Sequence, residues 1–462
     1  MALSRDEPPP QDASGGLTGL SALAAEAYVH GCPLVFGVSM VAASLSRGFG
    51  PLPATPFNTF AHATEPAGPE ARFVSVNNDT VYSIAQLDLS GGPVLLHVPA
   101  AGPAYHVLQF VDVWSNNFAY LGKRATGGAG GDWLISPPGW AGSAPAGVRG
   151  VIDAPTSVVT IVGRWAYEGP RDMPRVRALQ EQLMITRLDP AAHRSGLPGP
   201  EAGVPEELIF FERLRVLMAD FPPSPADQEY EARFQPLGLL EEGPSPYAGA
   251  APELVRALTE GQSAGRARVE EASRRPAGDS RPGDWSLNAH LFDYNLDHLG
   301  IGTIDSVQWR IPDRVDSYLA RAVAARIGLW GNHGYEAVYA QTFTDSGGRR
   351  LNGSHSYTLR FDRPPPVAAF WSVTMYDTPH YYLVENPARR YSIGDRTPGL
   401  VYGEDGSLTL VLQRRRPADP AEAANWLPAP EGDFRPMIRL YMPGEPVLDG
   451  TYRLPRIEVR DG

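Results

Sequence analysis

The chain has 462 residues, 43% of them hydrophobic and 10% aromatic, enough for two or three ordinary globular domains. A formal charge of −12 argues against nucleic acid as a partner, since a nucleic-acid binder needs a basic stripe. The single cysteine, Cys32, rules out an intrachain disulfide and any zinc site built on cysteines.

Residues 1–16 are polar, acidic and proline-rich, and lack the basic and apolar regions of a signal peptide. A helix is predicted over 18–46, where Leu20, Leu23, Ala24, Ala27 and Tyr28 recur at three and four. Pro33 is expected to kink or divide it. Glu26, His30 and Pro33 interrupt the apolar run, so no membrane span is expected and a cytoplasmic protein is. Cys32, between Tyr28 and Leu34, reads as a small core residue.

From about 57 to 168 the pattern changes to short β-rich runs at 81–85, 94–98, 105–111 and 158–164, separated by Gly/Pro turns. Helical spacing then returns at 171–188, 205–221 and 252–275, with Leu208, Phe211, Leu214 and Leu217 forming one core stripe. A last helix is predicted over 313–329. Beyond 336 the β pattern resumes, with turn signals at Asp345-Ser346-Gly347-Gly348 and Asp405-Gly406. The organisation expected is a polar N-terminus (1–16), a helix plus first β domain (17–168), a helical connector (169–335) and a second β domain (336–462). The fold class expected is mainly β with an α connector: two β-sandwich or jelly-roll-like domains flanked and joined by helices.

The two β regions read as distant copies. Leu96-His97-Val98 followed by 105–112 matches Leu359-Arg360-Phe361 followed by 370–377, and each region closes on a strand bearing an arginine, Arg164 or Arg439.

Several residues are candidates for chemistry. Asn77-Asn78-Asp79-Thr80 reads either as an Asx-turn cluster opening a strand at Val81 or as a polar group facing a cavity. In the second reading Asn77 and Asn78 bind substrate, Asp79 is a general base and Tyr82 a phenolic donor. Arg124, in a glycine-rich loop, and Arg164, at a strand end, are either structural or hold an anion; the loop lacks the Gly-Lys-Ser/Thr order of a P-loop. His62 is the acid/base candidate of the first β domain. Trp371, Tyr376 and Trp426 read as core or as an aromatic platform for a ligand. The run from His290 to His298 places His290, Asp293, Tyr294 and Asp297 on one face if helical, but carries no recognised metal-ligand spacing, and no metal is predicted. No nucleotide, flavin or nucleophile-elbow fingerprint occurs, so no cofactor is predicted.

Ala27–Leu34, Asn58, His62, Asn77-Asn78-Asp79-Thr80-Val81-Tyr82-Ser83, Leu87-Asp88-Leu89 and Gly122, Arg124-Ala125-Thr126-Gly127 resemble the bacterial domain of unknown function 1254. Leu351-Asn352-Gly353, Phe370-Trp371-Ser372, Asn386-Pro387, Tyr391-Ser392-Ile393-Gly394-Asp395-Arg396, Asp405-Gly406-Ser407-Leu408 and Asn425-Trp426-Leu427-Pro428-Ala429-Pro430 resemble its usual partner, domain of unknown function 1214. The resemblance implies tandem β-sandwich domains joined by helices, and assigns no catalytic residue. Many relatives are exported, whereas this chain has no recognisable signal peptide.

The function expected is a cofactor-free hydrolase, lyase or isomerase acting on a small, partly apolar molecule. The alternatives are a non-catalytic carbohydrate or small-ligand binder, and a structural partner that oligomerises through a sheet face. The partners expected are a small molecule and, as an option, a second copy of the chain.

Overall fold

In the computed structural model, residues 19–71, 74–274 and 281–460 are described; the polar 1–16 segment lies outside them. The chain divides into two compact units, residues 1–35 with 198–272, and residues 36–197 with 273–462.

The first unit is helical. It holds the beginning of α1 (Gly19–Arg47) and, further along the chain, the helices Ile209–Asp220, Pro225–Glu231 and Pro252–Arg274. The predicted stripe Leu208, Phe211, Leu214 and Leu217 is buried, and His30 Nε2 meets Glu231 Oε1 at 2.9 Å inside the unit. Helix α1 runs unbroken through Pro33, against expectation. Proline at 33 leaves the Val29 carbonyl without its amide donor, and the Cys32 thiol donates to that carbonyl at 3.6 Å. Burial pushes the thiol up to about 12, so it stays protonated at neutral pH. By length and composition α1 could cross a membrane, with hydropathy 1.5, although half of its most apolar stretch is buried in the fold.

The second unit carries eighteen strands among the described residues, and they repeat. The first nine are β1 (Thr59–His62), β2 (Thr80–Asp88), β3 (Val94–Val98), β4 (His106–Asp112), β5 (Asn117–Gly122), β6 (Gly131–Ser136), β7 (Gly150–Asp153), β8 (Val158–Ala166) and β9 (Met184–Arg187). The second nine are β10 (Ser286–Leu287), β11 (Ala337–Gln341), β12 (Tyr357–Phe361), β13 (Val367–Asp377), β14 (Ser392–Gly394), β15 (Leu408–Gln413), β16 (Trp426–Pro428), β17 (Phe434–Pro443) and β18 (Ile457–Val459). The five-stranded sheets run β1-β2-β8-β4-β5 and β10-β11-β17-β13-β14; the four-stranded sheets run β7-β6-β3-β9 and β16-β15-β12-β18. Adding nine to any strand of the first domain gives its counterpart in the second. Even the parallel pair is reproduced, β6 with β7 and β15 with β16.

The described residues are mixed α/β, with about 29% helix and 25% strand, and not mainly β. Two long helices, Gly19–Arg47 and Pro252–Arg274, carry much of the helical content. The four sheets have four or five strands each and no closed barrel forms among the described residues. The helix expected over 171–188 ends at Gln182, and residues 184–187 become β9 on the edge of β3. A free sheet edge accepted a β-branched tail that helical periodicity alone could not distinguish.

Alternation along β13 sets up the two faces of its sheet. Trp371, Val373 and Met375 enter a core with Leu359 and Phe361 of β12 and Leu408, Leu410 and Leu412 of β15. Phe370, Ser372, Thr374 and Tyr376 point the other way, and Phe370 joins Tyr105, just before β4, and Tyr441 of β17 in an apolar cluster between the two domains.

The hydrogen-bond register fixes which residues correspond. Tyr82, Arg164, Val107 and Gly122 lie opposite one another across β2-β8-β4-β5. Tyr339, Arg439, Ser372 and Gly394 form the same row across β11-β17-β13-β14. The two end glycines serve one purpose, since a Cβ on Gly122 would lie 2.3 Å from the His106 carbonyl oxygen and one on Gly394 would lie 2.0 Å from that of Trp371. Gly394→Ala is therefore expected to destabilise the protein by about 1–3 kcal/mol through overpacking. Denaturant unfolding checks this, and an unchanged midpoint would mean that β14 does not press on β13 so closely.

Candidate active site

The row of corresponding residues places two acids at equivalent positions, Asp79 three residues before Tyr82 and Glu336 three before Tyr339. It also pairs Arg124 with Arg396, each two residues past its row glycine. Both loops are tied alike, because the Gly122 and Gly394 amides each donate to a threonine hydroxyl at 3.0 Å, Thr126 and Thr397.

Contacts between the two β domains are reciprocal, as in an isologous dimer. Arg164 donates to Gln109 Oε1 at 2.7 Å in its own domain, and to Asn332 Oδ1 and the Trp330 carbonyl of the other at 3.2 and 2.8 Å. Arg439 donates to Thr374 Oγ1 at 2.9 Å in its own domain and to the Ser75 carbonyl of the other at 2.8 Å. Burial disfavours both charges, but the phenols around them, joined at Arg439 by Asp79, hold both guanidiniums firmly protonated.

Each acid likewise reaches across. Glu336 accepts from Tyr105 Oη at 2.9 Å and from Arg124 Nε at 2.5 Å. Asp79 Oδ1 accepts from Tyr441 Oη at 2.7 Å, and its Oδ2 accepts a short hydrogen bond from the Ser372 hydroxyl. Asn77 Nδ2 donates to Tyr441 Oη at 2.6 Å, and Asn77 Oδ1 accepts the Asp79 amide at 2.7 Å, forming the Asx turn. Burial, then the Asp79 charge, drive the Tyr441 phenol well above its usual value, so it stays a donor. Arg396 closes the group. Its Nη2 donates to the Asp79 carbonyl at 2.8 Å while its guanidinium lies 3.4 Å from the Phe370 ring centre.

The two acid sites differ in access. At Glu336, only 1% exposed, the connector lies over the site. The Ile301 carbonyl accepts from the Tyr120 amide at 2.7 Å, the Gly302 carbonyl accepts from Arg124 Nη2 at 2.6 Å, and Trp309 meets the Tyr335 ring edge-on at 5.1 Å. At Asp79 the corresponding edge is open. A cleft of about 1320 Å³ is lined by residues 64–70 and 167–177 of the first β domain and by residues 385–398 of the second, and both Asp79 and Ser372 border it.

Residues 57–187 match the family described as protein of unknown function DUF1254, and residues 336–445 match DUF1214. The chain is a tandem DUF1254–DUF1214 protein. The DUF1254 match takes in β1 to β9, and the DUF1214 match begins at Glu336 and takes in β11 to β17. No curated protein matches the chain. A crystal structure of a Vibrio parahaemolyticus protein is similar, at 24% identity and a TM-score of 0.73 over 96% of this chain and 100% of that one, a likeness of fold. A crystal structure of an uncharacterized Burkholderia cenocepacia protein aligns at 13% identity and a TM-score of 0.45, over 95% of this chain and 89% of that one.

Of the residues singled out from the sequence of this DUF1254–DUF1214 protein, Asp79 and Asn77 share one network, and Asn78 joins its rim. Asn78 donates to the Ala67 carbonyl at 2.6 Å and accepts from Ser392 at 3.0 Å. Tyr82 lies under Arg164, 5.5 Å from ring centre to guanidinium, with its phenol near enough to Tyr441 of the Asp79 network to raise that residue's pKa. His62 bonds Ser83 Oγ at 2.8 Å on β1, and burial lowers its pKa. Arg124 belongs to the covered Glu336 site. Trp371 borders the cleft while packing on Phe361 at 5.0 Å. Tyr376 is buried and donates to the Val76 carbonyl at 2.6 Å, and Trp426 donates to the Gln413 carbonyl at 2.7 Å. The His290 run is not helical; His290 pairs with Asp293 at 2.6 Å and Asp297 with Arg314 at 2.7 Å. No three potential ligands gather for a metal among the described residues.

Sequence reasoning did not select Ser372, Tyr441 or Arg396 for the site. The one signal that could have found Arg396 is the Gly-x-Arg shared by Gly122-Lys123-Arg124 and Gly394-Asp395-Arg396.

The covered site makes stability pH-dependent. His333 Nδ1 shares a hydrogen bond with the Tyr120 hydroxyl at 2.9 Å, and burial, then the Arg124 charge, lower its pKa to about 3. Between about pH 6.5 and 3 the unfolded chain binds a proton there that the folded protein does not, so stability falls as pH drops through that window. At pH 5 the effect is on the order of 2 kcal/mol. His333→Asn should flatten the fall in thermal midpoint between pH 7 and 5; parallel curves would remove His333 as its origin.

Proposed function

We propose that the Asp79 cleft is the active site of a cofactor-free enzyme of hydrolase, lyase or isomerase type acting on a small, partly apolar molecule. The observation that carries this reading is the pairing of the Asp79 carboxylate with the Ser372 hydroxyl at the edge of an open cleft, while the equivalent Glu336 is covered. Asp79 is the general base, taking a proton from substrate directly or from Ser372 as it attacks. Tyr441 and Asn77 hold the carboxylate in place and limit its rotation, so the base is oriented before substrate arrives. Proline, methionine and tyrosine side chains on the cleft wall (Pro66, Pro170, Met173, Tyr391) supply apolar contact for the remainder of the molecule.

One observation favours a binding role without turnover. Both carboxylate oxygens of Asp79 already have partners across the domain boundary, as those of Glu336 do, and an acid used as a tie would need no reaction. In that reading the same cleft holds a small ligand and returns it unchanged.

Incubation with a bacterial metabolite extract, followed by mass spectrometry, separates the two. The enzyme reading expects at least one compound consumed by the wild type, with Asp79→Asn slower by roughly 100- to 10,000-fold, the usual worth of a general base. A compound retained by the wild type and released unchanged, with nothing consumed, would support the binder in its place.

A further inference from the structure

The repeated architecture gives this cleft an internal comparison. In the covered site Arg124 is neutralised within the protein: its Nε meets the Glu336 carboxylate at 2.5 Å and its Nη2 the Gly302 carbonyl at 2.6 Å. Arg396 occupies the equivalent place in the open site, yet its situation differs on both counts. Asp79 is one methylene shorter than glutamate, and its carboxylate turns to Ser372 and Tyr441. The Arg396 side chain therefore donates only to the Asp79 main-chain carbonyl, through Nη2, and its Nη1 is buried without a partner. The charges of Asp79, Asp395 and Glu168 lie near enough to favour its protonation, but burial outweighs them and lowers its pKa. No described carboxylate comes within ion-pairing distance. A connector carbonyl meets Nη2 at Arg124, the Asp79 main-chain carbonyl meets it at Arg396, and the Arg396 side chain lines the cleft.

A guanidinium this enclosed, stacked on Phe370 and short of a carboxylate that its own counterpart possesses, is a recognition group for one. We infer that Arg396 binds the carboxylate of a small, partly apolar carboxylic acid, standing in the place that the Glu336 side chain holds at Arg124. The inference rests on the reading of the Asp79 cleft as the ligand site and narrows its ligand class. The acid group anchors on Arg396 and the apolar remainder lies along the cleft wall. The bond to be altered then sits within reach of Asp79 and Ser372, both of which neighbour Arg396 in the cleft lining.

The same comparison supplies the test. Asp79→Glu adds the methylene that lets an acid side chain reach Arg396 as Glu336 reaches Arg124, so it should block the position from inside. Asp79→Asn removes a competing negative charge and leaves Arg396 available. Titration calorimetry on the full chain, with benzoate as probe, is expected to give saturable binding to the wild type. Binding should be retained or strengthened in Asp79→Asn. It should weaken about 10- to 100-fold in Asp79→Glu and in Arg396→Gln, the loss expected for a charge-assisted hydrogen bond. Arg396→Lys, which keeps the charge and loses the fork, should fall between and guards against a folding defect in the glutamine variant. Benzamide should not compete.

Equal binding to wild type and Asp79→Glu, or competition by benzamide, would overturn the assignment. Equal competition by inorganic phosphate would overturn the choice of a carboxylate over other oxyanions. Binding that follows the expected order while no carboxylic acid is ever consumed would leave the ligand class standing and remove the catalytic reading. Turnover of a neutral molecule that needs Asp79 but not Arg396 would do the reverse.

Discussion

Everything in the β unit depends on how two buried arginines are satisfied. Arg164 and Arg439 sit in the central strands of their five-stranded sheets, each buried, and neither finds all its partners at home. Each completes its hydrogen bonds on the segment that precedes the second strand of the other domain, at Trp330 and Asn332 or at Ser75. A buried guanidinium left without partners costs several kcal/mol. The two sheets are thus obliged to face one another in one register, and the reciprocal reach of Asp79 and Glu336 follows from that arrangement.

A duplicated architecture held together in this way creates two equivalent sites and no requirement that both stay in use. The two have diverged by small changes at corresponding positions. Val107 corresponds to Ser372, Ala166 to Tyr441 and Tyr105 to Phe370, so hydroxyls are redistributed around each acid. The connector around 300–309 then covers the Glu336 site, and the Asp79 site stays open. One half serves as a structural tie and the other keeps a carboxylate, a serine hydroxyl and an unsatisfied arginine donor at a cleft. The asymmetry, not the acid itself, is what distinguishes the two positions.

Parts of this were legible in the sequence because they are local. The β runs, the turn glycines, the leucine stripe of 208–217 and the correspondence of Arg164 with Arg439 all follow from periodicity and spacing. Helix α1 was legible as apolar and helical, but its continuity through Pro33 was not, since proline reads as a kink wherever packing around the helix is unknown. The end of the 171–188 helix was lost for the opposite reason: four residues took their conformation from a partner strand nearly ninety residues away.

The sequence by itself determined the tandem family, the repeated strands and the polar character of Asn77-Asn78-Asp79. The tertiary structure decided which of those polar groups meet. Asp79 is joined to Ser372 and Tyr441, some three hundred and sixty residues away at the furthest, while Tyr82, His62 and Arg124 are drawn to other partners. The physical reason is that alternation assigns a side chain to a face of its sheet but is silent on what that face will be set against. Only the docking of one sheet on the other, forced by the buried arginines, brings the acid of one domain to the hydroxyls of its copy.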